Sequence, residues 1–246
     1  MITFSRLGQH GRLGNQLFQI ASVLSVGAAV GQDVVFPEWP YAQYFSAAFP
    51  VGSVTNAKTY VERQFSHHVL PVAQGNWDLI GYFQSEKYFN TDLVKRQFRF
   101  TDDLSRALSA RVERSRRRRV LLSVRRGDFV NNWKYFQLGK DYYLEALSSL
   151  DHDVEVFATS DDLDYCRHAF DGLGFVFADG LTAIEQLCLG ASCDDFIISN
   201  STFSWWQAWL GEQSGSRVIR PLRNFSDACE EDETDYWPLR WTMFST

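Results

Sequence analysis

The chain has 246 residues, 45% of them hydrophobic and 15% aromatic, enough for one large domain or two small packed ones and unlike a disordered chain. Its formal charge of −6 argues against nucleic acid as the main partner. Four cysteines without C-x-x-C or zinc-ligand spacing predict reduced, buried thiols rather than a disulfide framework.

Residues 2–6 read as a first strand, followed by a turn carrying Gly8, Gly11 and Gly14. Asn15 and Gln16 then open a helix running toward Val30, and residues 33–36 read as the next strand, a strand–loop–helix–strand unit. The glycine spacing is not the dinucleotide fingerprint G-x-G-x-x-G, so a nicotinamide cofactor is rejected. What remains is a glycine-rich turn before a helix start, suited to an anion or a sugar hydroxyl, or a tight turn with Asn15 as the cap. No apolar run of about 18 residues stands out and no basic-then-apolar leader precedes the first strand. A cytoplasmic protein without a transmembrane segment is therefore expected, with peripheral membrane contact left open.

Residues 37–75 are interrupted by Pro37, Pro40, Pro50 and Pro71 and give no clear element. Residues 78–83 resemble a strand, Ser85 can start a helix through Val94, and a further helix covers 102–113. The basic run from Arg111 to Arg119 reads as the solvated end of that helix, where cations complement the dipole. It also marks the boundary between two halves, 1–115 and 116–246.

From Val120 onward strands are expected at 120–124, 154–158, 174–178, 195–199 and 217–220, alternating with helices near 141–150, 162–170, 181–191 and 202–211. That alternation predicts a doubly wound parallel α/β sheet, with ligands beyond the carboxyl ends of its strands. The first of these strands runs into Arg125-Arg126-Gly127-Asp128. Two adjacent guanidinium forks suit a diphosphate, Gly127 permits a sharp turn, and Asp128 can orient an arginine or accept a proton. The strand at 195–199 runs into Asn200-Ser201-Thr202-Phe203-Ser204, polar residues around the start of a helix whose first N–H groups lack helical partners. Both elements fall at the same sheet edge, so one anion pocket is expected. Asp151-His152-Asp153 has a D-x-D spacing but precedes a strand, at the opposite edge. Asp162-Leu163-Asp164 fits a first helical turn, and the histidines form no ligand cluster, so no metal is expected.

Five segments together resemble the bacterial α-1,2-fucosyltransferase family: residues 11–19, residues 81–89, Arg125 to Val130, Ser160-Asp161-Asp162, and Asn200 to Leu210. The resemblance implies two Rossmann-like halves of GT-B type facing a cleft. It implies an inverting, metal-independent transfer of L-fucose from GDP-fucose to the 2-hydroxyl of a terminal galactose on a glycan. Arg125, Arg126 and Asp128 would serve catalysis; Ser123, Asp161, Glu185, Asn200, Ser201, Thr202 and Ser204 would hold the nucleotide sugar; and Gly14, Asn15, Gln16, Tyr82 and Gln84 would line the acceptor side. Family members commonly carry histidine where this chain has Ser123, and Glu185 is the candidate reader of the guanine edge. Another deoxyhexose or linkage, or a sugar-binding protein without catalysis, are the competing readings.

Overall fold

The computed structural model describes residues 1–111, 117–150 and 153–244. The expected boundary at 115/116 and two residues of the D-x-D motif, Asp151 and His152, lie outside them. By packing the chain divides into two units, Met1–Asp102 with Glu231–Pro238, and Asp103–Glu230 with Leu239–Thr246.

In the first unit β1 (Ile2–Thr3) leads through a turn to α1 (Leu13–Val30) and β2 (Val34–Val35). β3 (Lys58–Val61), β4 (Trp77–Ile80) and α2 (Thr91–Gln97) follow. The four strands are parallel in the order β2-β1-β4-β3. α1 opens at Leu13, ahead of Asn15, with Arg12 at the N-cap and no side-chain cap. Contrary to expectation, its 18 residues are long and apolar enough by composition to span a membrane, with a mean hydropathy of 1.3, yet 72% of them are buried inside the fold. Leu17, Phe18, Ile20, Ala21 and Val23 are all fully buried, the behaviour of a core helix.

The second unit begins with α3 (Asp102–Arg111) and β5 (Arg118–Val124). It continues through α4 (Lys140–Ser148), β6 (Val154–Ser160), α5 (Leu163–Ala169), β7 (Val176–Phe177), α6 (Ala183–Gly190) and β8 (Asp195–Ile198). α7 (Thr202–Gly211), β9 (Val218–Pro221) and β10 (Thr242–Phe244) complete it. All six strands are parallel in the order β10-β9-β8-β5-β6-β7. Renumbered within the unit this is 3-2-1-4-5-6, the doubly wound order whose direction reverses between β5 and β8.

Side chains alternate across β5 with the two-residue period of a strand. Val120, Leu122 and Val124 enter one apolar cluster with Tyr142, Tyr143 and Phe170, while Ser123 points to the other face and meets α7. On that face Trp205, Trp206 and Trp209 are fully buried. The near-continuous apolar run of β5 reflects a strand covered on both faces. Cys166, Cys188 and Cys193 are free and buried, and Cys229 is free and half-buried. From Asp103 onward α3 belongs to the second unit, as do Arg117, Arg118 and Arg119.

Candidate active site

β5 pairs with β8 up to Ser123 opposite Ile198, and the Ser199 N–H donates to the Ser123 carbonyl at 3.0 Å. Arg125–Arg126 and the start of α7 therefore leave adjacent strands, on either side of the point where strand order reverses. β6 ends beside β5 on the other flank, with Val124 opposite Ser160, and it delivers Asp161.

Asp161 organises the arginines. Its Oδ1 accepts the Arg126 backbone N–H at 2.9 Å, and its Oδ2 lies 2.9 Å from Arg125 Nη1. The other Arg125 terminal nitrogen pairs with Asp128 Oδ1, and the guanidinium lies 4.9 Å over the Phe129 ring. Only 12% of the Arg125 side chain is exposed, against 61% for Asp128. The Arg126 guanidinium stacks 3.8 Å above Tyr165 and reaches Asp162 only at 4.0 Å. The Nε atoms of both arginines are buried without a hydrogen-bond partner among the described residues. Gly127 has φ of +31°, and a Cβ there would stand 2.4 Å from Asp161 Oδ2. The glycine is needed by sterics as well as by backbone geometry.

The polar residues at the head of α7 divide their work. Ser201 is the N-cap and accepts the Phe203 N–H at 3.1 Å. Asn200 donates from Nδ2 to the carbonyls of Phe136 (3.0 Å) and Asn224 (2.7 Å). Ser204 joins Ser123 (2.7 Å) and Ser199 (2.8 Å), and Ser123 also donates to Gln207 Oε1 at 2.6 Å. Ser123, Asn200, Ser201 and Ser204 are all buried, so their side chains brace the helix start, while Thr202 is half-buried.

Glu185 forms a capping box: its Oε2 accepts from Thr182 N–H at 2.8 Å and Thr182 Oγ1 at 2.7 Å. Its Oε1 lies 3.3 Å from Arg111 Nη1. These bonds, chiefly the Thr182 hydroxyl, hold the carboxyl below its usual range. Reading a base edge would require Glu185 to leave this cap. Asp162 caps α5 by accepting the Tyr165 N–H at 3.0 Å, Asp164 pairs with Arg167 at 2.8 Å and Asp153 with Arg117 at 3.5 Å.

The first unit repeats the pattern at its own reversal point, between β1 and β4. Asn15 Oδ1 accepts Gln84 Nε2 at 3.0 Å, joining the first turn of α1 to the loop after β4. Gln16 is buried, donating to the Gly11 carbonyl at 2.9 Å and accepting Trp39 Nε1 at 2.8 Å. Gly14 lies in the buried first turn of α1. Tyr82 is 38% exposed and stacks on His10 at 4.5 Å. Sequence reasoning missed Glu62, which follows β3 and clamps this turn. Its carboxylate accepts the N–H groups of Tyr82 (2.6 Å) and Phe83 (3.0 Å), and Phe83 sits at φ of +51°. Burial raises the Glu62 carboxyl to about 7 against the pull of those bonds. It also missed Tyr165 and Phe129 under the guanidiniums; their aromatic type next to the arginine and Asp162 motifs was the only available signal.

Two parallel α/β units, with an arginine pair at the reversal point of the second, have the architecture of the GT-B glycosyltransferases. The fold is that of the fucosyltransferase NodZ from Bradyrhizobium. NodZ crystallised with GDP matches with a TM-score of 0.58 at 16% identity, over 84% of this chain and 91% of that one. The chain belongs to glycosyl transferase family 11, whose model matches residues 57–244. It is similar to an α-1,2-colitosyltransferase of Escherichia coli, 26% identical over 75% of this chain and 68% of the relative. A galactoside 2-α-L-fucosyltransferase of Caenorhabditis elegans is 22% identical over 93% of this chain and 76% of the relative.

Proposed function

We propose that this glycosyltransferase moves L-fucose from GDP-fucose to the 2-hydroxyl of a terminal galactose, with inversion at the anomeric carbon and without a metal. The carrying observation is the side-by-side emergence of Arg125–Arg126 and the start of α7 from paired strands β5 and β8. As the acceptor oxygen attacks C1, the bond to the GDP oxygen breaks and negative charge grows on the leaving diphosphate. Fixed guanidiniums and first-turn N–H groups stabilise that charge without having to reorganise. The same groups supply the positive charge that a divalent cation provides elsewhere, which is the basis for expecting full activity in chelator.

Asp128, held against Arg125, is suited to orienting that guanidinium; it can also receive the acceptor proton from its exposed side. Colitose, a further deoxyhexose, is the second reading of the donor, favoured by the similarity to the colitosyltransferase. Incubation with GDP-fucose or GDP-colitose and a panel of galactosides, following GDP release, tests the proposal. Acceptor-dependent release with fucose, unchanged by EDTA, is expected. Sugar binding without release, or a strict manganese requirement, would overturn it.

A further inference from the structure

Of eight tryptophans in the chain, Trp39, Trp205, Trp206, Trp209, Trp237 and Trp241 are buried, Trp77 is half-buried, and Trp133 is 71% exposed. It does not sit on a loose loop. Gln137 Nε2 donates to the carbonyls of Phe129 (2.9 Å), Asn132 (3.1 Å) and Tyr135 (3.0 Å), while its Oε1 accepts the Asn131 N–H at 3.2 Å. Asn131 is thereby held at φ of +56°, and Phe129 stacks on Tyr135 at 3.7 Å. From a distant segment, Ser226 Oγ donates to the Trp133 carbonyl at 2.5 Å and Ser226 N–H to that of Lys134 at 3.0 Å. Asn132 Nδ2 donates to the Asp128 carbonyl at 3.0 Å, tying the loop to the arginine pair.

The backbone here is fixed by these bonds while the Trp133 indole stands in water, so a ligand would meet a backbone already ordered. We propose that Trp133 is a stacking platform for a pyranose ring, holding it beside Asp128 and Arg125. One face of a fucose or galactose ring presents several C–H groups, whose partial positive charge faces the negative π-surface of an indole. The half-exposed carboxylate of Asp128 accepts hydroxyl hydrogen bonds from the same ring. The assignment rests on the glycosyltransferase reading; the ring is either the donor's sugar or part of the acceptor, and the test separates them.

Trp133→Ala and Trp133→Phe are compared with wild type for the KM of GDP-fucose, the KM of a galactoside acceptor and inhibition by GDP. A rise of about tenfold in either sugar KM for alanine, with GDP inhibition unchanged and partial recovery by phenylalanine, is expected; the KM that moves identifies the ring. Unchanged sugar KM values overturn the proposal. So does an equal loss of GDP affinity, which would place the nucleotide on the indole. If wild type transfers nothing, saturation-transfer NMR of galactosides and fucosides decides independently. A signal lost in Trp133→Ala upholds the platform, and one absent from wild type or equal in both overturns it.

Discussion

The Asp161 carboxylate bridges to Arg125, with Oδ2 2.9 Å from Nη1, while its other oxygen takes the backbone N–H of the next residue at 2.9 Å. One side chain from β6 thus sets the direction of a guanidinium delivered by β5. Asp161→Asn keeps the size but removes the charge and puts an amide donor opposite one of these donors. Turnover should fall by about tenfold to a hundredfold, the scale of a small misplacement of reacting groups. Steady-state kinetics check it, with a thermal midpoint close to wild type.

Arg126 makes fewer protein contacts and should therefore be the more ligand-directed of the pair. Arg126→Ala is expected to lower kcat by about two to three orders of magnitude, and Arg126→Lys to recover little, because an ammonium neither stacks flat on Tyr165 nor donates as a fork. Near-wild-type turnover in either variant would refute the role.

Gly127→Ala tests the cradle from the other side. The added methyl would sit 2.4 Å from Asp161 Oδ2 at a left-handed φ, so the carboxylate must swing away from Arg125. Loss of activity at least as large as that of Asp161→Asn, with about 1–2 kcal/mol of destabilisation from the backbone, is expected from kinetics and denaturant unfolding together.

Gln207 is fully buried. It accepts from Ser123 and donates to the Gln186 carbonyl at 2.9 Å and Thr159 Oγ1 at 3.2 Å. Gln207→Ala leaves a cavity and several unpaired polar groups, a loss of about 3 kcal/mol. Calorimetry should show the midpoint lowered by roughly 8 °C.

Glu62 gives a pH signature. Its folded carboxyl titrates at about 7 against 4.5 for the free group, so the folded chain holds more protons between those values. Stability gained at low pH is lost as pH rises from 4.5 through 7. Glu62→Gln should remove that slope, read as thermal midpoint against pH; a slope identical to wild type would assign the titration elsewhere.

Much of this was legible in the sequence. β5, β6, β8 and β9 are short apolar runs closed by polar turns, and a strand buried on both faces announces itself that way. β3 did not, because only Tyr60 of its four residues is buried. The segment from Ser85 breaks into a 3-10 turn at Glu86–Tyr88 and α2, where Asn90 caps anew. Arg125 and Arg126 could be named from residue type alone. Their setting could not: Asp161 is 35 residues further on, and its approach depends on strand register. The same limit applies to the head of α7, whose hydroxyls looked available to a ligand. Ser123, 81 residues earlier, is what turns Ser204 inward.

Residues 231–238 return to the first unit after the chain has built nearly all of the second. There Asp235 accepts the His67 N–H at 3.1 Å, its carbonyl takes the Ser85 hydroxyl at 2.7 Å, and Tyr236 packs 5.7 Å from Phe65. The first unit is thus finished by residues that follow nearly all of the second in the chain. A ribosome that has released only the first hundred residues has released an open fragment, and a stop codon after Glu230 would injure the distant first unit as well as strip β10 from the second.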